Sequence, residues 1–279
     1  MKNRKKRAGR TLLLLAITLF VLMVASRCHD ARAATMPKNA AVTVLMYHHL
    51  LPKAQAGRLS GNSIVTYVED FEAQLDFLQE KGYKTVTPQA VEAFFYNHTP
   101  LPDKAVLLSF DDGYLSNAEY AYPLLKKRGM CATVFLVTGH LGEAGQVFSL
   151  AAVQMVDEKT IQKTADVFTY ACHTDDCHTI QSGVAALCAA SDRERAEDLK
   201  RCRAVISAIP GGCDTVLAYP YGAYNEAVKA SVKAAGIRLA FRASEGVVTA
   251  DSDVYALPRF PVDSGVSFAQ FCHYFGENG

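Results

Sequence analysis

Residues 105–113 read AVLLSFDDG: six apolar or small residues, then two aspartates and a glycine. A short continuous apolar run of this kind is the signature of a strand buried on both faces, as in a parallel sheet. Working outward, the pattern repeats. Residues 41–47 (AVTVLMY), 132–137, 167–171 and 215–219 are apolar, β-branched runs, and further strands are expected near Leu239 and Tyr255. Helical stretches separate them. Phe71, Leu75 and Leu78 fall on one face of a helix over 69–82, and Thr87-Pro88 opens another through Phe95. Residues 117–129 end in Lys126-Lys127-Arg128-Gly129, cations and glycine suited to a helix C-terminus. Ser191 caps a helix to Ile209 with Ala196, Leu199, Cys202, Ile206 and Ile209 on one face, and 225–236 form the next. The glycine-containing stretch 51–63 reads as a surface loop, and 141–166 as a loop followed by a helix. Strand–helix alternation predicts an α/β fold with a helix-covered parallel sheet, either open or a (β/α) barrel; in both, chemistry sits at the C-terminal ends of strands.

Composition supports a globular body. Of 279 residues half are hydrophobic and 20% are charged. That balance excludes a disordered chain or a many-span membrane protein. The net charge of +1 averages two unlike parts. Residues 1–34 hold eight Lys/Arg and one acid, and the rest carries about −6, which argues against a nucleic-acid partner. A basic head, an apolar run over 12–25 and Ala31-Arg32-Ala33 make residues 1–34 a secretory signal peptide or an N-terminal membrane anchor. Residues 35–279 then form a single domain outside the cytoplasm. Cleavage after Ala33 leaves seven of the eight cysteines; Cys188, Cys202 and Cys213 are candidates for one disulfide, while several of the seven suit simple burial.

Three clusters carry chemistry. Asp111-Asp112 at a strand end demand a cation or a proton, and Gly113 permits the sharp turn; a solvated Asx turn is the plainer reading. His173 and His178 share neither a helix face nor a strand face, so they converge only if the segment between them curls. Two imidazoles and a carboxylate would then suit zinc or another borderline divalent ion. Cys172 and Cys177 are conceivable extra ligands. His48, following Tyr47 at a strand end, is a candidate general acid, and Tyr219-Pro220-Tyr221-Gly222 a turn able to aim a backbone N–H.

Together these pieces resemble the polysaccharide deacetylases, carbohydrate esterase family 4. Ser109-Phe110-Asp111-Asp112-Gly113 matches the family's first motif. His173-Thr174 with His178 matches the second, in the spacing of the branch acting on surface poly-N-acetylglucosamine. Ala218 to Gly222 resembles the third, and Val44 to His49 is typical of that branch, whose motif order is circularly permuted. The resemblance implies a distorted (β/α) barrel in one domain. It implies that Asp112, His173 and His178 hold a divalent metal, zinc foremost and cobalt or nickel otherwise. Asp111 would be the base that deprotonates water, and His48 the acid that protonates the leaving amine. The oxyanion and substrate-binding part would fall to Tyr221 with Pro220 and Arg259. The partner would be an acetylated glycan: a surface poly-N-acetylglucosamine or peptidoglycan losing N-acetyl groups, or an O-acetylated glycan such as xylan. A catalytically silent glycan-binding protein is the non-enzymatic alternative. There are departures. Ala218 stands where many members carry an arginine bracing the base, and Arg259 is the candidate to replace it. The family's C-terminal histidine motif is missing, and Asp175-Asp176-Cys177 between the histidines is unusual.

Overall fold

Seven strands, over residues 239–241, 212–218, 168–172, 132–136, 105–110, 41–47 and 248–249 in that order, make the main run of the sheet. The computed structural model describes residues 41–277 apart from Ser60, so the expected signal or anchor over 1–34 lies outside the described residues. The strands are β1 (Ala41–Tyr47), β2 (Ala105–Phe110), β3 (Ala132–Leu136), β4 (Phe168–Cys172), β5 (Gly212–Ala218), β6 (Leu239–Phe241) and β7 (Val248–Thr249), with β8 (Phe260–Pro261) beside β1. Neighbours among β1 to β6 run parallel, and only β7 is antiparallel to β1. Every residue of β2 and β3 is buried, as strands covered on both sides require. Leu257 bridges Phe241 at one edge of the sheet, and three residues later Phe260 pairs with Leu45 of β1. The segment 257–261 therefore spans the gap between the two ends of the sheet and curls it into the distorted (β/α) barrel expected from the sequence.

The helices are α1 (Val68–Glu80), α2 (Pro88–Asn97), α3 (Tyr122–Lys127), α4 (Glu158–Thr164), α5 (Asp192–Ala208), α6 (Glu226–Ala234) and α7 (Phe268–His273). Their starts follow the sequence signals. The Thr87 hydroxyl accepts the Ala90 N–H with Pro88 in the first turn, and Ser191 and Glu194 form a capping box. Alternation along each strand divides the core. Leu45, Tyr47, Leu108, Phe110, Leu136 and Tyr170 join the helices, and Val44, Leu107, Phe135, Ala171, Phe241 and Leu257 make a second cluster.

Four expectations are corrected. The helix expected over 117–129 begins as a π turn at Asn117–Ala121, because Pro123 has no N–H for the carbonyl four residues back. No strand lies at Tyr255: the Asp253 carboxylate accepts the Tyr255 N–H and bends the chain into a turn, and the late strands are β7 and β8. On α5, Ala196 is exposed and Ile209 is a half-buried residue just past the helix; the buried residues are Arg195, Asp198, Leu199, Cys202 and Ile206. The candidate disulfide among Cys188, Cys202 and Cys213 is not formed; all seven described cysteines are free, four of them buried.

Candidate active site

Four strand ends meet at one point on the C-terminal face of the sheet. β2 delivers Asp111 and Asp112, β4 delivers His173, β5 leads into Tyr219 to Gly222, and β1 leads into His48. The backbone is forced there. Asp112 (φ 70°), Thr174 (φ 73°) and Tyr221 (φ 58°) all occupy the left-handed region. Non-glycine residues adopt it at a cost of about 1–3 kcal/mol each. Three such residues, following β2, β4 and β5 of one sheet, mark the place where the fold stores strain. Gly113 (φ 84°) has no alternative, since a Cβ there would meet Leu136 Cδ2 at 2.7 Å.

Asp112 Oδ1 lies 3.0 Å from His178 Nε2 and 3.3 Å from His173 Nε2, and the two Nε2 atoms are 3.2 Å apart. Among the described residues these three form the one cluster whose ligand atoms could share a metal, all within 4.8 Å of one another. Zinc bound tetrahedrally at about 2.0–2.2 Å keeps its donors about 3.3–3.5 Å apart, so the spacing fits. The chemistry fits as well. His173 Nδ1 donates to the Ala218 carbonyl at 2.8 Å. In the neutral ring that bond leaves the Nε2 lone pair facing the cluster. Burial pushes the Asp112 carboxyl up, but its contacts with His173 and His178 outweigh it and hold the group far below the ordinary range.

Asp111 is buried beside this cluster, its carboxylate 4.0 Å from His173 Nε2. Arg259, fully buried, forks onto it: Nη1 to Oδ1 at 2.6 Å and Nη2 to Oδ2 at 2.7 Å. Burial alone would raise the Asp111 carboxyl; the positive charges of Arg259, His173 and His48 overcome it, and the net shift is downward. The same guanidinium donates to Ser109 Oγ at 3.3 Å and the Arg242 carbonyl at 3.2 Å. Arg259 thus touches Asp111 and the protein interior, the bracing position suggested for it from the sequence; at 0% exposure it has no surface for the substrate contact also suggested.

The two histidines after β1 part company. His48 is lowered by burial first, with the charges of Asp111 and Asp112 opposing and those of Arg259 and His173 adding. His49 turns away. Its Nδ1 meets Ser116 Oγ at 2.6 Å, its ring stacks on Tyr114, and burial pushes it down to about 4. Tyr221 is about half exposed, with its ring 4.9 Å from that of His178 and its hydroxyl donating to the His178 carbonyl at 3.2 Å. Pro220 is buried beneath this turn, so it sets the turn's entry and offers no surface to a ligand. Cys172 is buried, and neither it nor Cys177 belongs to the ligand cluster.

Sequence reasoning missed two residues. Tyr114 stacks on His49, and burial, with the charge of Asp112 nearby, pushes its phenol well up; no pattern announces it. Asp198 is 1% exposed on α5 and accepts N–H bonds from residues 175, 176 and 177. Its signal was available: an acid four residues before Cys202 sits in the buried stripe of its helix.

The polysaccharide deacetylase family profile matches residues 98–240. Poly-beta-1,6-N-acetyl-D-glucosamine N-deacetylase of Staphylococcus aureus is 30% identical over 191 residues, which cover 68% of this chain and 64% of that one. The chain thus spans just under two thirds of that relative's length. Among solved structures, IcaB from Ammonifex degensii superposes with a TM-score of 0.71 at 28% identity, over 85% of this chain and 97% of that one. Streptococcus pyogenes deacetylase PplD in complex with acetate reaches 0.72 at 23% identity, over 84% and 97%, a likeness of fold.

Proposed function

The chain belongs to the polysaccharide deacetylase family, and from that premise we propose that it is a metal-dependent hydrolase removing N-acetyl groups from an extracellular N-acetylglucosamine polysaccharide. One observation carries the reading: three ligand atoms from two separate strand ends converge beside a carboxylate that a buried arginine grips with both nitrogens. The Staphylococcus aureus relative is named for a polymer of this class, which favours poly-N-acetylglucosamine within the proposal.

Asp112, His173 and His178 would hold the ion, zinc foremost. When bound, it supplies Lewis acidity at the acyl oxygen and makes water a better nucleophile at neutral pH. The remaining work falls to the chain. Asp111 takes the proton from water, and its carboxyl, held below the ordinary range, stays ionised and ready. Arg259 fixes the plane of that carboxylate. His48 gives a proton to the departing amine, against the burial that lowers its hold on that proton. The Tyr221 N–H, presented by the left-handed turn after β5, meets the negative charge growing on the acyl oxygen. Residues 1–34 take the catalytic domain, 35–279, out of the cytoplasm or tether it at the surface. Among the described residues no helix is long and apolar enough to cross a membrane.

The test follows acetate release from an N-acetylglucosamine oligomer with zinc, cobalt or chelator, in the wild type and in Asp112→Ala. Metal-dependent release lost in the variant is the expected result. Metal binding without release, but release from acetylated xylan, would replace the amide with an ester. Glycan retention without any acetate would leave a binding protein. His48→Gln is expected to lose roughly 100-fold or more in rate and His49→Gln to keep it; the reverse would overturn the assignment of the acid.

A further inference from the structure

The geometry points to Asp198 as a positioning residue that holds the loop between His173 and His178 in its ligating curl. Two histidines five positions apart have no regular backbone that faces them to one point. The chain solves this with a left-handed Thr174 and a tight bend over residues 175–177. Every backbone N–H in that bend ends on one side chain. Asp198 Oδ1 accepts from Asp175 at 2.9 Å, and Oδ2 accepts from Asp176 at 2.8 Å and Cys177 at 3.0 Å. Three N–H donors converging on an ionised acceptor are strong, charge-assisted bonds.

The loop is held from its other side too. Thr138 Oγ1 donates to Asp175 Oδ1 at 2.8 Å and the Gly139 N–H to the Asp175 carbonyl at 2.8 Å. Gly139 packs so closely that a Cβ would stand 2.6 Å from that carbonyl oxygen. Asp198 nevertheless has a part no neighbour duplicates. It sits on α5, outside the three ligands, and is the acceptor for three consecutive donors, 175–177, of the four residues between the two histidines. With the carboxylate in place the curl exists before an ion arrives. Without it, only a fraction of molecules present both imidazoles together, and the apparent affinity for the ion falls by that fraction.

This inference rests on the metal reading above, and the experiment separates the two. Zinc affinity of the full chain is measured by competition with a chromophoric chelator, for the wild type, Asp198→Asn and His178→Ala. Asn is the informative replacement because its NH₂ must face at least one of the three N–H groups. Asp198→Asn, folded by circular dichroism, is expected to bind zinc about 10–100-fold more weakly, the usual consequence of losing an outer partner of a ligand. Zinc binding as tight as wild type would reduce Asp198 to a strut and overturn the proposal. A wild type that binds no zinc overturns the metal reading and this proposal with it. Amide hydrogen exchange on metal-free wild type needs no variant. Protection at residues 175–177 before any ion is added is expected, and rapid exchange there would overturn the pre-formed curl.

Discussion

Replacing Arg259 with methionine removes a cation from a place with no water to compensate. Arg259 is 0% exposed, and the Asp111 carboxylate it grips is 3% exposed on its side chain. Two bonds of 2.6 and 2.7 Å disappear, and Ser109 Oγ and the Arg242 carbonyl each lose a donor. Breaking a buried pair from one side leaves the other charge stranded, at a cost of about 3–5 kcal/mol. At about 2–4 °C per kcal/mol for a domain of this size, the melting temperature should fall by roughly 6–20 °C. The sign with pH follows from Asp111. Its folded carboxyl lies below its unfolded value of about 3.9, so the stabilisation is present above that pH and is lost as acid protonates the group. The assay is urea unfolding at pH 7 for Arg259→Met, Asp111→Asn and the double variant. The double should be more stable than the sum of the single costs implies, with a coupling of about 2 kcal/mol or more, because neither partner is left charged and alone. Additive costs, or an Arg259→Met chain as stable as wild type, would refute the reasoning.

His49 gives a second pH dependence of opposite origin. Its folded value is pushed down to about 4 against about 6.5 unfolded, so the unfolded chain binds the extra proton and stability falls as pH drops from about 6.5 toward 4. The loss should approach about 3 kcal/mol, and melting curves of His49→Gln across that window should be flatter than wild type. Gly113 has a left-handed φ of 84°, and a new methyl there would meet Leu136. Gly113→Ala should therefore cost about 1–3 kcal/mol by thermal melting. Alkylation of the unfolded chain without reductant, mapped by mass, should label every cysteine from Cys131 to Cys272.

The sheet was legible because buried parallel strands are written as apolar runs, and AVTVLMY and AVLLSF can hardly be anything else. The pair Asp111-Asp112 and the two histidines stood out by chemistry and by resemblance. What the sequence hid was whatever depends on distant partners. β8 is two residues long and holds its place through β1, so no local pattern marks it. The π turn at Asn117–Ala121 follows from one proline inside an otherwise helical run. Asp198 shares the buried stripe of its helix with Cys202, which marks it as inward-facing, but the three N–H groups it serves lie more than twenty positions away. Arg259 could be suspected, since an unexplained arginine between two prolines is conspicuous, yet its grip on Asp111 spans 148 positions.

That span bears on how such a molecule comes into being. Ribosomes deliver AVLLSFDD long before the segment 257–261, and domains begin folding from whatever has emerged. Until residue 259 exists, Asp111 has no counter-charge and cannot be buried without penalty, so the first motif must wait half-solvated. Pairings of such long reach are also slow to form. The strand that closes the sheet therefore acts as an interlock on assembly: a nascent chain, or one clipped ahead of Arg259, holds all three metal-ligand candidates and still lacks the guanidinium that steadies its carboxylate.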